Sequence, residues 1–348
     1  QKSVDDILSA DLGKASAEDV LTPKVITPED IKRQKEEELK NSLKQVPKDP
    51  YTDPVLLDHF VADVEKFEKH VDALCKQTLS GPTLLEKEWK ELTEKQENFA
   101  KRSSMAIAKC YPMKNRSRDI MPYDSTRVVL AAGHDDYINA SHIGDLSPSC
   151  PKFIATQNPL PATMADFWQM VYEQGSEVIV MLCQEMEGSQ KNHRYWPEQK
   201  SEPVNHGHFT VTLQSVKSKG AWEERIVSLM HRDTRNSRSV VHLQFTQWGP
   251  SGIPESPAML LQFVQEVHSF YVQQRSLLRP VIVHCNNGVG RTGAFCTIYT
   301  GVQEINQGHS LVSVSELVPQ LRQKRKAMVQ DRELLQFCYH AILYYAQD

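Results

Sequence analysis

Apolar positions at helical spacing mark the first well-patterned stretch of the chain. Leu57, Phe60, Val61, Val64, Phe67, Val71 and Leu74 recur behind Asp53-Pro54, an N-cap followed by a first-turn proline. This pattern predicts an amphipathic helix, which Ser80-Gly81-Pro82 breaks. Thr83-Leu84-Leu85-Glu86 is then a capping box opening a second helix through Trp89, Leu92 and Phe99. The pair predicts a helical hairpin over residues 51–102, packed on the domain behind it. Downstream the period changes. Strands are predicted at 127–130, 136–143 and 153–157, in the apolar run 178–182, and by alternation at 209–213, 224–229 and 240–245. Helices are predicted at 163–172, 259–274, 314–326 and 331–346. The expected fold over 103–348 is α/β, a highly twisted mixed sheet of about eight or more strands with helices on both faces.

Residues 1–50 lack this patterning. They are poor in aromatics, carry Pro23, Pro28 and Pro47, and include the charge run Lys32 to Lys40. Such a segment buries too little apolar area to offset its conformational entropy, so it reads as a linker, largely disordered or docked, with one short helix after Thr27-Pro28-Glu29-Asp30. The chain opens at Gln1 without a Met, which predicts a fragment of something longer.

Composition narrows the class. With 348 residues, 40% hydrophobic and 24% charged, the chain suits one large α/β domain plus a smaller attachment. A formal net charge of −4 argues against general nucleic-acid affinity. The seven cysteines show no paired spacing and no zinc pattern, which fits a reducing compartment. No apolar run approaches the roughly 18–20 residues that span a bilayer, and Gln1-Lys2-Ser3-Val4 is no signal peptide, so the expected location is cytoplasmic. His206 and His208 lack a third ligand and read as a surface loop; no metal and no cofactor is expected.

The chemistry concentrates in one stretch. The β-branched run Val281-Ile282-Val283 ends at His284-Cys285, and Asn286, Asn287, Gly288, Val289, Gly290, Arg291, Thr292 and Gly293 lead into a helix-compatible segment. Strand, tight loop and helix in that order cradle an oxyanion with loop N–H groups and the helix N-terminus. Arg291 supplies a bidentate guanidinium, and the positive field lowers the Cys285 pKa toward thiolate, a nucleophile facing a bound phosphate. Two rival readings explain less. Gly288-x-Gly290-x-x-Gly293 matches a dinucleotide fingerprint, but the acid about twenty residues on, Glu304, falls inside the next predicted helix. A buried structural cysteine leaves the arginine unexplained.

His-Cys-x5-Arg-Thr-Gly resembles the signature loop of the cysteine-dependent, tyrosine-specific protein tyrosine phosphatases. Further stretches fall in that family's order over roughly 95–346: Lys114-Asn115-Arg116 with Asp119, Asp136 to Ser141, Thr156 to Leu160, Tyr195-Trp196-Pro197, the loop after Trp248, and Gln330. The resemblance implies the phosphatase fold and a phosphocysteine intermediate formed by Cys285. It implies that Arg291 holds the phosphoryl oxygens, Thr292 stabilises the departing thiolate, Gln330 positions water, and Asp119 grips substrate backbone. It also implies a phosphotyrosine protein as substrate or ligand and a monomer. Within the family the likeness is to a large cytosolic member with an endosomal-sorting domain, implying partners in the endosomal sorting machinery and recruitment to endosomes.

The departures fall on one catalytic cycle. Pro250 stands where the family has its general-acid aspartate, and a proline has no side-chain proton to give. Glu187 and Glu255 are acids that could substitute, although each belongs to another motif position. Ser117 replaces the tyrosine that stacks on the phosphotyrosine ring. Asn286-Asn287 replace Ser-Ala in the loop, which binds through backbone N–H groups, while Asn287 adds an amide to the pocket floor. The expected activity is very weak or absent. The alternative is a catalytically dead pseudophosphatase acting as a scaffold.

Overall fold

The computed structural model describes residues 28–44, 53–76, 79–131, 133 and 135–348; most of the segment predicted as a linker lies outside them. The helix predicted there, α1, runs over Pro28–Lys44 and is described by itself. It is longer than a short capped turn because Lys, Glu, Leu and Gln, all strong helix formers, fill the stretch behind the cap.

Pro54–Leu74 forms α2, with Asp53 Oδ1 accepting from Val55 N at 3.0 Å. Leu84–Lys101 forms α3, and its capping box closes in both directions, Glu86 N to Thr83 Oγ1 at 3.2 Å and Thr83 N to Glu86 Oε2 at 3.3 Å. Phe60, Val71 and Leu74 of the predicted stripe are buried, whereas Val61 is exposed. The helix presents a narrower face than the sequence stripe suggests because it packs on one side only.

The remaining elements follow in order. Strands β1 (Arg127–Val129), β2 (Tyr137–Ile143) and β3 (Phe153–Thr156) precede α4 (Met164–Glu173) and β4 (Val178–Met181). A small hairpin, β5 (Met186–Glu187) and β6 (Gln190–Lys191), leads to β7 (Val204–His206), β8 (Phe209–Ser218), β9 (Trp222–His231) and β10 (Ser237–Phe245). Then come α5 (Pro257–Val272), β11 (Val281–His284), α6 (Gly290–Asn306), α7 (Val314–Lys324) and α8 (Arg332–Gln347). Both α2 and α3 contact α8, and α3 also contacts α7.

Nine strands form one mixed sheet in the order β1-β2-β3-β11-β4-β10-β9-β8-β7. Its centre, β3, β11, β4 and β10, is parallel, and every residue of β3, β4 and β11 is buried. Solid apolar runs are the expected signature of strands covered on both faces. The flanking pairs are antiparallel, which accounts for the alternation read in 209–245. His206 ends β7 rather than lying in a loop, and only His208 sits in the turn. Among the described residues, no helix is long and apolar enough to cross a membrane. The parallel centre sets the site: β11 ends at His284, and the loop that follows emerges at the carboxyl ends of the buried strands.

Candidate active site

Backbone carbonyls shape the loop after β11. Asn158 N donates to Asn286 O at 2.9 Å, and the buried Arg325 donates to Asn287 O at 2.9 Å and Gly288 O at 3.0 Å. With these carbonyls drawn outward, the Gly288 N–H reaches Cys285, as does that of Thr292. Arg325 is itself held by Asn139 Oδ1 at 2.7 Å and Ser141 Oγ at 3.0 Å. Nothing in the local sequence around Arg325 marks this brace; it lies near in space and far in sequence. Gly288 has φ +74°, and a Cβ there would lie 2.2 Å from Thr156 O.

Cys285 sits at the base of the loop, 3% exposed. Burial alone would push its thiol up. The Arg291 guanidinium, the Thr292 hydroxyl and the N–H groups of Thr292 and Gly288 outweigh that, leaving the pKa below that of an ordinary thiol. Thr292 Oγ1 lies 3.3 Å from the Cys285 sulfur and donates to it.

Arg291 is more constrained than the sequence suggests. Its Nη1 and Nη2 bind Glu187 Oε2 and Oε1 at 2.7 and 3.0 Å, and Nη1 also reaches Leu182 O and Trp248 O at 3.1 and 3.2 Å. Burial opposes the charge, yet the Glu187 carboxylate and the Cys285 sulfur hold the guanidinium pKa above its usual value. What remains for an oxyanion is the edge carrying Nε–H and one Nη2–H. Glu187 is therefore unavailable as a proton donor, with a side chain 1% exposed and both oxygens engaged. Glu255, the other acid considered, is exposed and does not line the cleft.

A second layer ties the loop to the rest of the site. Asn192 Nδ2 donates to Asn286 Oδ1 at 2.7 Å and to Glu187 Oε1 at 3.1 Å, while Arg116 Nη2 donates to Asn192 Oδ1 at 3.1 Å. Asn286 thus has a partner of its own. Asn287 is half-buried on the cleft wall, and its amide has no hydrogen-bond partner among the described residues.

The cleft holds about 250 Å³. Cys285, Asn287, Arg291 and Gln330 line it, with Pro250 and Gly252 facing them from the loop after Trp248. Gln330 Oε1 lies 3.2 Å from where a Cβ on Gly290 would stand. The segment before it is strained: Val329 has φ +60°, held by Val329 N donating to Val289 O at 3.0 Å and Arg322 Nη2 donating to Val329 O at 2.9 Å. Ser117 and Asp119 are not part of the cleft wall; Asp119 is exposed, and its N–H donates to Ser117 Oγ at 3.2 Å. Of the residues grouped by sequence, the fold gathers Cys285, Asn286, Asn287, Gly290, Arg291, Gln330 and Pro250 at one cleft, buries Gly288, Val289 and Thr292 behind it, and leaves Ser117 and Asp119 off its lining.

Sequence comparison bears on this geometry. The family profile described as protein-tyrosine phosphatase matches residues 111–344, spanning the sheet and the whole cleft. The chain belongs to the protein-tyrosine phosphatase family. It is 46% identical over 303 residues to human tyrosine-protein phosphatase non-receptor type 23, covering 87% of this chain and 18% of that protein. It is 40% identical over 232 residues to mouse tyrosine-protein phosphatase non-receptor type 20, covering 66% of this chain and 53% of that relative. Mouse non-receptor type 4 is 39% identical over 234 residues, 66% of this chain and 25% of that relative. The chain thus spans about a fifth of the length of the type 23 relatives it matches.

This phosphatase-family chain also buries a hydrogen-bonded histidine pair under the loop. Tyr195 Oη lies 2.6 Å from His284 Nε2 and 2.7 Å from His242 Nε2. Burial pushes His284 down to about 4, with Arg116 and Arg291 adding to it against the Cys285 carbonyl. Burial likewise pushes His268 down to about 4 and His242 well below its usual value. Unfolded histidines, near 6.5, bind more protons than these folded ones as the pH drops. Stability should therefore fall as pH falls from about 6.5 to 4. The thermal midpoint should decline across that window, and a midpoint that stays level there would contradict the assignment.

Proposed function

We propose that this chain is a cysteine-dependent protein-tyrosine-phosphatase domain that hydrolyses phosphotyrosine-type esters at a strongly reduced rate. The observation that carries this is the Thr292–Cys285–Arg291 arrangement at the base of a cleft whose general-acid position is filled by Pro250. In this reading the Cys285 thiolate attacks phosphorus while the free edge of Arg291 and the loop N–H groups hold the phosphoryl oxygens. Gln330 positions water, and Asp119 and Ser117 act on the substrate chain outside the cleft. Residues 51–102 are an attachment to the domain at 103–348. The location is cytoplasmic.

Loss of a positioned acid costs roughly 10²–10⁴ in rate, about 3–5 kcal/mol of barrier. Hydrolysis of an activated aryl phosphate, which needs little protonation of its leaving group, is therefore the informative assay. Turnover should vanish in Cys285→Ser. Pro250→Asp should raise the rate on phosphotyrosine peptide by about 10²-fold or more, with Ser117→Tyr and Asn287→Ala adding to it. No turnover in the native chain and none in the repaired variants would overturn the enzyme reading. A second reading is favoured by Pro250 itself: a pseudophosphatase that binds phosphotyrosine protein as a scaffold in endosomal cargo sorting, with the sorting machinery as its partner.

A further inference from the structure

Asp331 is the only carboxyl among the residues that line the cleft. It directly follows Gln330 and caps α8, its Oδ1 accepting from Leu334 N at 2.9 Å. The other oxygen, Oδ2, has no partner among the described residues. The side chain is thus anchored at one oxygen by a helix terminus, and Asp331, an exposed residue, belongs to the same cleft wall as Gln330. Glu187 is fully committed to Arg291, and Glu255 lies off the wall. Resting on the hydrolytic reading above, we propose that Asp331 is the general base for hydrolysis of the phosphocysteine intermediate.

The Cys285 thiolate attacks phosphorus, an S–P bond forms, the P–O bond to the aryl group breaks, and the aryl oxide takes its proton from solvent. A water held by Gln330 then attacks the same phosphorus while Asp331 Oδ2 removes one of its protons. The S–P bond breaks, sulfur departs as the thiolate that Thr292 stabilises, and phosphate leaves. The Asp331 acid then returns its proton to solvent.

Helix caps make the test specific. Asn and Ser cap a helix N-terminus about as well as Asp, so Asp331→Asn and Asp331→Ser keep α8 and remove only the base. The assay is steady-state hydrolysis of p-nitrophenyl phosphate by the full chain, with acid-quenched phosphoenzyme measured in parallel. Slowing only the second step should lower kcat by about tenfold or more and KM with it. The quotient kcat/KM should stay constant while phosphoenzyme accumulates, and Asp331→Glu should recover part of kcat. If Asp331→Asn lowers the thermal midpoint, Asp331→Ser gives the reading. An unchanged kcat, beside native turnover that Cys285→Ser abolishes, overturns the base and leaves the phosphatase reading standing. A fall in kcat/KM without phosphoenzyme overturns it too, since Asp331 would then act before the intermediate. Native turnover no greater than that of Cys285→Ser overturns both.

Discussion

Gly288→Ala is expected to lose all aryl phosphate hydrolysis and to be destabilised by more than about 4 kcal/mol, the range of the most severe single substitutions. Two effects add at this position. A φ of +74° is left-handed backbone that costs an L-residue about 1 kcal/mol or more. The larger effect is steric: the new Cβ would stand 2.2 Å from Thr156 O and 2.4 Å from Thr156 C, a buried backbone that cannot rotate away. Thr156 belongs to β3, which is paired in register to β11. Relief therefore requires either the loop or the sheet to move, and the loop is the weaker. Its displacement would turn the N–H groups away from Cys285 and loosen Arg325 from Gly288 O. Urea unfolding and thiol alkylation report the two consequences separately. An alanine variant with native stability would mean that the loop is not held as described. Gly252, also left-handed at φ +86°, isolates the steric effect, because its nearest neighbour, Glu333 Oε1, is 4.0 Å away and belongs to a flexible side chain.

Glu187→Ala should cost about 3–5 kcal/mol, because removing one partner leaves a buried guanidinium uncompensated. The same change at an open pair is trivial by comparison. Arg194–Glu185, with side chains 30% and 37% exposed, should contribute less than about 1 kcal/mol. Glu187 differs because its side chain is 1% exposed and that of Arg291 6%. It also accepts from Asn192, which holds Asn286, so its loss frees the loop from two sides. Binding of inorganic vanadate should weaken by at least tenfold as Arg291 loses its orientation. Glu187→Gln should fall between, since the amide keeps one acceptor and turns an N–H toward Nη1 or Nη2. Glu255→Gln should stay within about 0.5 kcal/mol of native, as exposed substitutions do. Equal effects at Glu187 and Glu255 would contradict the buried pair.

The two loop asparagines acquire distinct meanings from this geometry. Asn286 is structural, since its amide enters the Asn192, Glu187 and Arg116 network. Asn287 contributes its carbonyl to Arg325 and leaves its amide facing the cleft. The first side chain therefore fits the loop into its surroundings, and the second is presented to the cleft.

Much of this protein was legible in the order of its residues. The helix stripe, the two caps and the apolar runs 153–157, 178–182 and 281–284 report local periodicity, which needs no knowledge of what lies across the fold. The family's signature is equally local, because Cys285, the loop and Arg291 fall within seven residues and a strand–loop–helix unit brings them together. The partners of those groups were not legible. Glu187 lies 104 residues from Arg291, and Arg325 lies 37 and 38 residues from the carbonyls it braces. Read along the chain, Glu187 is a spare acid and Arg325 one more charge in a basic run; only burial turns the first into a fixed ion partner and the second into a brace. Sequence order alone determined the fold class and the strand–loop–helix unit that carries Cys285 and Arg291, because both arise from neighbours along the chain. The tertiary structure alone decided which acid is bound, which carboxyl faces the cleft and which predicted residues stand outside it, because desolvation and contact depend on what is near in space.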